Sequence, residues 1–242
     1  CGLNDVSQPT TPISVTTNCG VVNFPYLETF DGSQWVPGSG FGNSGSIIDP
    51  CWSRPNSNNP NFSPLSGPTG SFGTGPDQDF SGNGKYLYTE GSGGVTGQTG
   101  EITSPRVAVP SASGTPYLKF AYHLYGSDIG TFEIEARPVG GSYSSLFSLT
   151  GQQQTSNTAP WRLDSVDLSS YQGDTIEFRF SASNNGFRSD AAFDQFELFT
   201  SGVPCDTPGN ISFSNVGPDS LVVSWSSTNT GASTTISYYD QS

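Results

Sequence analysis

DTIEFRFSAS at residues 174–183 and AAFDQFELF at residues 191–199 decide the fold of this chain. In the first, Ile176, Phe178 and Phe180 recur at every second position with polar residues between them, the pattern of a strand that buries one face and wets the other. Working outward, KYLYTE (85–90), GEITSP (100–105), YLKFAYHLY (117–125), TFEIEARP (131–138), SLFSLTG (145–151) and WRLDSVDL (161–168) carry β-branched or aromatic residues at the same period. Gly, Pro or Asn separates them. Strands in such a series predict an all-β fold, two antiparallel sheets packed as a jelly-roll-like β-sandwich. Further upstream, NFPYLETF (23–30) reads as the first strand of the domain. Between Gly32 and Gly84, Gly, Pro, Asn and Ser are too dense for long elements. Long loops are expected there, anchored by Trp35, Phe41, Cys51, Trp52, Phe62 and Phe72 tucking beneath them.

Composition agrees with short strands and many turns. The chain of 242 residues holds 30 Gly and 18 Pro, and only 12% of it is charged. Sixteen Phe, 10 Tyr and 4 Trp compensate for the low apolar fraction of 32%, because each ring buries a large area. A formal charge of −13, from 21 acidic and 8 basic groups, repels polyanions and argues against nucleic acid as a partner. No apolar run reaches the roughly 20 residues that cross a bilayer, so no membrane insertion is expected. Cys1, Cys19, Cys51 and Cys205 lack CxxC or Cys/His spacing, which favours disulfides over zinc and leaves three complete pairings open.

The text divides into three parts. Residues 1–19 are Thr-, Ser- and Pro-rich and read as a linker from a preceding module. Residues 20–202 form the predicted sandwich. Residues 203–242 change character and look like the opening of a fibronectin type III domain with Trp225 as its early core residue, a partial immunoglobulin-like segment too short to be complete.

Four segments carry a family resemblance: YLYTE (86–90), TSP (103–105), LKFAYHLYGSDIGT (118–131) and DAAFDQFEL (190–198), with TGPDQD (74–79) in support. Together they resemble the MAM domain. ETFDGSQW (28–35) and PCW (50–52) around a glycine-rich loop further resemble modules of large bacterial surface proteins. The resemblance implies a jelly roll, a secreted or cell-surface setting, and adhesion to a protein or glycan on a cell surface or matrix, beside neighbouring modules of the same chain. It also implies a structural metal ion, calcium or sodium. Asp31, Asp79 and Asp194 fall at the family's acidic positions, with Glu28 and Asp77 as further candidates, and a hard cation of this kind collects about six to eight oxygens. By the same resemblance Cys19 pairs with Cys51. Where the family places a Cys before LKF, this chain has Pro116 and Tyr117, so Cys205 lacks its usual partner.

Other chemistries are weighed on the residues. His123, the single histidine, lies within a strand and reads as structural. No GxSxG, HExxH or phosphate loop is present. Glu133 and Glu135 share one strand face at roughly 7 Å, a spacing that suits a glycosidase pair, yet alternating Glu on a wet face is the commoner meaning. The chain therefore reads as no enzyme. Trp35, Trp52, Trp161 and Phe187 lie in or beside loops where a ring can stack on a sugar. Trp52 and Trp161 are the ligand-binding candidates for an alternative reading, a carbohydrate-binding module appended to a secreted polysaccharide-degrading enzyme.

Overall fold

The computed structural model describes residues 19–39, 44–54, 61–92, 96–111, 114–202, 209–214 and 222–226. Its strands are β1 (Val22–Asn23), β2 (Tyr26–Glu28), β3 (Ser63–Leu65), β4 (Tyr86–Tyr88), β5 (Thr99–Thr103), β6 (Val107–Ala108) and β7 (Thr115–Leu124). They continue as β8 (Ile129–Pro138), β9 (Ser144–Thr150), β10 (Arg162–Asp167), β11 (Thr175–Asn184), β12 (Ala191–Ser201), β13 (Gly209–Ser214) and β14 (Val222–Ser226). One sheet runs β1-β6-β11-β8-β9 with β5 also on β11; the other runs β10-β7-β12-β4-β3 with β2 also on β12. All pairings are antiparallel except the two-residue β1–β6 contact.

Alternation places Phe178 and Phe180 of β11 between the sheets, and in β12 a bulge between Asp194 and Glu197 puts Phe193 on the same side as Phe196 and Leu198, all fully buried. The Phe180 and Phe193 rings stack at 4.2 Å, joining the two layers. Trp35 and Trp52, carried in by the long loop, pack edge-on against Phe30 at 4.9 and 5.6 Å. Cys19 is bonded to Cys51, the residue before Trp52, with the two Cα atoms 5.3 Å apart. The bridge thus ties the start of the domain to the loop that delivers a core tryptophan.

The two outer faces differ. On the β11–β8 sheet the outward residues include half-buried Glu and Arg in ion pairs, Arg137 with Glu177 and Arg179 with Glu135. On the other sheet the outward residues Tyr86, Tyr88 and Ala192 are buried again beneath Leu65 and Trp161, because the loop before β4 folds back over them. Tyr86 Oη donates to the Gly67 carbonyl at 2.7 Å, and Trp161 Nε1 to the Gln78 carbonyl at 3.0 Å.

Two loop expectations need correction. Trp52 is 3% exposed and belongs to the core, so it offers no face to a ligand. Phe72, expected as an anchor, is 90% exposed. Phe41, Cys1 and Cys205 lie outside the described residues, as do the linker before Cys19 and most of 203–242; β13 and β14 pair antiparallel there.

Candidate functional site

β12 changes partners in mid-strand. Ala192 and Phe193 pair with β4, whereas Phe196–Leu198 pair with β2, and a bulge between Asp194 and Glu197 marks the switch. Gln195 takes φ +57 there, and Phe30, just after β2, takes φ +60, two of the few side-chain-bearing residues in left-handed backbone. The gap between β2 and β4 is filled by the loop from Asp79 to Lys85.

Three of the acids singled out from sequence meet at this loop. Asp194 Oδ2 accepts from Phe80 N at 3.1 Å and its Oδ1 from Gln195 N at 2.7 Å. Asp79 accepts from Ser81 N at 2.8 Å and Gly84 N at 2.6 Å. Asp31 Oδ1 accepts from Lys85 N at 2.7 Å, while Lys85 Nζ turns to the Asp31 and Gly32 carbonyls. Gly84 is needed here, since a Cβ would collide with the Asp31 carboxylate. Burial, reinforced by the charges of Asp79 and Asp31, pushes Asp194 up to about 7. Glu28 and Asp77 do not join them. Glu28 faces Tyr26 Oη and Phe30 N, and Asp77 lines a small cavity with Trp161.

A second acidic pair was not foreseen. Glu90, at the end of β4, and Asp190, at the start of β12, are 3% and 0% exposed. Asp190 Oδ1 accepts from Gly91 N at 2.9 Å, whereas its Oδ2 has no hydrogen-bond partner, although the Thr69 and Ser71 hydroxyls stand nearby. Glu90 Oε1 accepts from Ser92 N at 2.9 Å and from Ser71 Oγ at 3.3 Å. Burial first, and the neighbouring Glu90 second, raise Asp190 to about 7. The signal in the sequence was an acid set directly against YLYT and against AAF, where a solvated turn residue would sit further from the apolar run.

The residues around Asp194 suit a hard cation in kind: every donor is oxygen, and no Lys or Arg is ion-paired to Asp31, Asp79 or Asp194 among the described residues. They are not gathered as a ready cage, for no group of three or more His, Cys, Asp or Glu side chains stands at ligand spacing among the described residues. Any ion held there would take its remaining ligands from backbone carbonyls and water.

His123 is fully buried on the outward side of β7, its ring 5.6 Å from Trp161. Burial pulls it down to about 4, and the Ala159 and Ser156 carbonyls lie near but outside hydrogen-bond geometry. It is a neutral packing residue. Glu135 is bound to Arg179, whose Nε donates at 2.7 Å. Trp161 is half-buried and packs on Tyr86 at 5.6 Å.

The acid-bearing segments at the ends of β4 and β12 lie within residues 49–206, which match the family described as MAM domain, meprin/A5/mu. The chain belongs to the MAM family. Among relatives of this MAM domain, thyroid hormone-induced protein B of Xenopus laevis is 33% identical over 144 residues, 59% of this chain and 20% of that protein. Neuropilin-1 of Mus musculus is 34% identical over 64 residues, 26% of this chain and 7% of that protein. The chain thus spans a fifth or less of the curated relatives it matches. These relatives are vertebrate proteins and lend no support to a bacterial source. Among solved structures, TmCBM61 in complex with β-1,4-galactotriose overlaps 62% of this chain and 86% of its own, with 12% identity and a TM-score of 0.38. The K3 cleaved adhesin domain of Lys-gingipain from Porphyromonas gingivalis overlaps 62% and 91%, with 14% identity and a TM-score of 0.43. Those scores are too low to bear on ligand or partner.

Proposed function

We propose that this MAM domain is a non-catalytic recognition module of a larger secreted or cell-surface protein, engaging a protein or glycan on a cell surface or matrix. Membership of the MAM family over residues 49–206 supports this reading most, since such domains occur in extracellular or cell-surface proteins. The architecture suits it: a sandwich welded by stacked aromatics displays loops whose tips carry Phe72 and Phe187, 90% and 70% exposed. No helix among the described residues is long and apolar enough to cross a membrane. Glu133 and Glu135 make a poor catalytic pair, because Glu135 is already committed to Arg179.

A calcium ion, or sodium in its place, is part of the proposal. Asp31, Asp79 and Asp194 would hold it, and its role would be to neutralise carboxylates beneath the Phe80–Lys85 loop and lock β2, β4 and β12 together. The recognition reading is tested by coating beads with the 242-residue chain and measuring their retention on cultured cells and on extracellular matrix. Retention well above that of beads coated with an unrelated acidic β-domain is expected; equal retention on every surface would refute it.

A further inference from the structure

At one end of the sandwich the loops leave a cleft of about 470 Å³, within the range of roughly 300–1,000 Å³ usual for small-ligand sites. Phe72 forms one wall. Its ring is left 90% exposed. The guanidinium of Arg188 lies 6.0 Å from its centroid. That guanidinium makes no ion pair among the described residues, whereas Arg106, Lys119, Arg137 and Arg179 are all ion-paired. Arg54, Lys85 and Arg162 also lack ion pairs but donate side-chain hydrogen bonds, whereas the Arg188 side chain donates none among the described residues.

The cleft is built on a fixed floor. Tyr125 O accepts from Gly75 N at 2.8 Å and from Thr74 Oγ1 at 2.9 Å. Asp128 N donates to Arg188 O at 3.0 Å, and Arg188 N returns a bond to Asp128 Oδ2 at 3.0 Å. Gly126, at φ +146, lets these loops touch, because a Cβ there would strike the Arg188 carbonyl. The backbone of the cleft is therefore set before any ligand arrives.

The chemistry of the lining narrows the occupant. Apart from Arg188 it is neutral: the exposed Gln152, Thr155 and Asn157 and the half-buried Tyr125 supply amides and hydroxyls, groups that both donate and accept. The adjacent carboxylate of Asp128 is already engaged by Ser127 Oγ and Arg188 N. A basic peptide finds no free carboxylate in the lining, and an acidic one approaches a chain of net charge −13. An apolar peptide needs more wall than one ring. A pyranose, with an apolar C–H face and a rim of hydroxyls, uses each of these groups.

We propose that this cleft binds a neutral saccharide, one pyranose ring laid on Phe72 with its hydroxyls held by Gln152, Asn157 and Arg188. This deepens the recognition reading and rests on it. The test is titration calorimetry of the 242-residue chain against neutral β-linked oligosaccharides of glucose, galactose, mannose and xylose, with an oligouronate as the anionic arm. Saturable binding of at least one neutral probe is expected, weakened about tenfold by Phe72→Ala and several-fold by Arg188→Gln, with Leu163→Ser on β10 as an unaffected control. Because Phe72 and Arg188 are exposed, the melting temperatures of these variants should stay at the wild-type value. Failure of every neutral probe, binding of the oligouronate alone, or binding indifferent to Phe72→Ala would overturn the proposal. Should the probes fail while coated beads still adhere to cells, the saccharide assignment falls and the recognition reading stands.

Discussion

The outer faces of the two sheets solve the same electrostatic problem in opposite ways. On the β11–β8 face, Glu101, Glu135 and Glu177 are half-buried against three arginines: Arg137 Nη2 to Glu177 at 2.8 Å, Arg106 Nε to Glu177 at 3.4 Å, and Arg179 to Glu135 and Glu101. Both Arg137 and Arg179 also cover the Tyr143 ring, at 4.5 and 4.1 Å. On the β12–β4 face, Asp79, Glu90, Asp190 and Asp194 are buried beneath loops, with backbone N–H groups as their main partners and no ion-paired Lys or Arg among the described residues. Three of the basic groups are thus paired with the half-buried acids of one face. Burial raises Asp190 and Asp194 toward neutral pH, which makes that face responsive to pH.

The largest expected effect follows from this contrast. Asp194 is raised from 3.8 to about 7 by burial, and Asp190 likewise. A carboxyl whose folded value is raised binds its proton more tightly in the native state, so its stabilising contribution is complete below about pH 4 and is lost as pH rises through 7. In chelator, the melting temperature should fall from pH 5 to pH 8 by an amount worth about 2.7 kcal/mol for each of the two groups. Asp194→Asn and Asp190→Asn should each flatten the slope; a slope unchanged by both would place the charge elsewhere. Next in size is the cation. Calcium at about 100 times its dissociation constant should add roughly 2.7 kcal/mol at pH 7.5, an increment absent in Asp194→Ala. Identical melting with calcium and with chelator would remove the ion from the account. The smallest effect belongs to the opposite face, where Arg179→Ala should cost about 1 kcal/mol and less in high salt. A loss of several kcal/mol would mean that this ladder, and not the buried face, carries the electrostatic stability.

The strands were legible because a sheet with one wet face writes period two into its sequence. All the long strands from β7 to β12 appear where alternation placed them. β3 and β6, of three and two residues, are too short to show any period. Among the loop aromatics the anchor reading held for Trp35 and Trp52 but failed for Phe72, which is surface, and Trp52 as core offers no ligand face, since residue type does not reveal whether the chain folds over a ring or under it. The convergence of Asp31, Asp79 and Asp194 was legible through the family resemblance. Glu90 and Asp190 were missed because acids at strand ends usually cap turns, and what buries them is the distant Thr69–Thr74 loop.

Recognition through displayed loops is tested most directly by the double variant Phe72→Ala/Phe187→Ala. Beads coated with it should lose most of their cell adhesion while the chain melts at the wild-type temperature. Undiminished adhesion would contradict the claim that this end of the domain meets its partner.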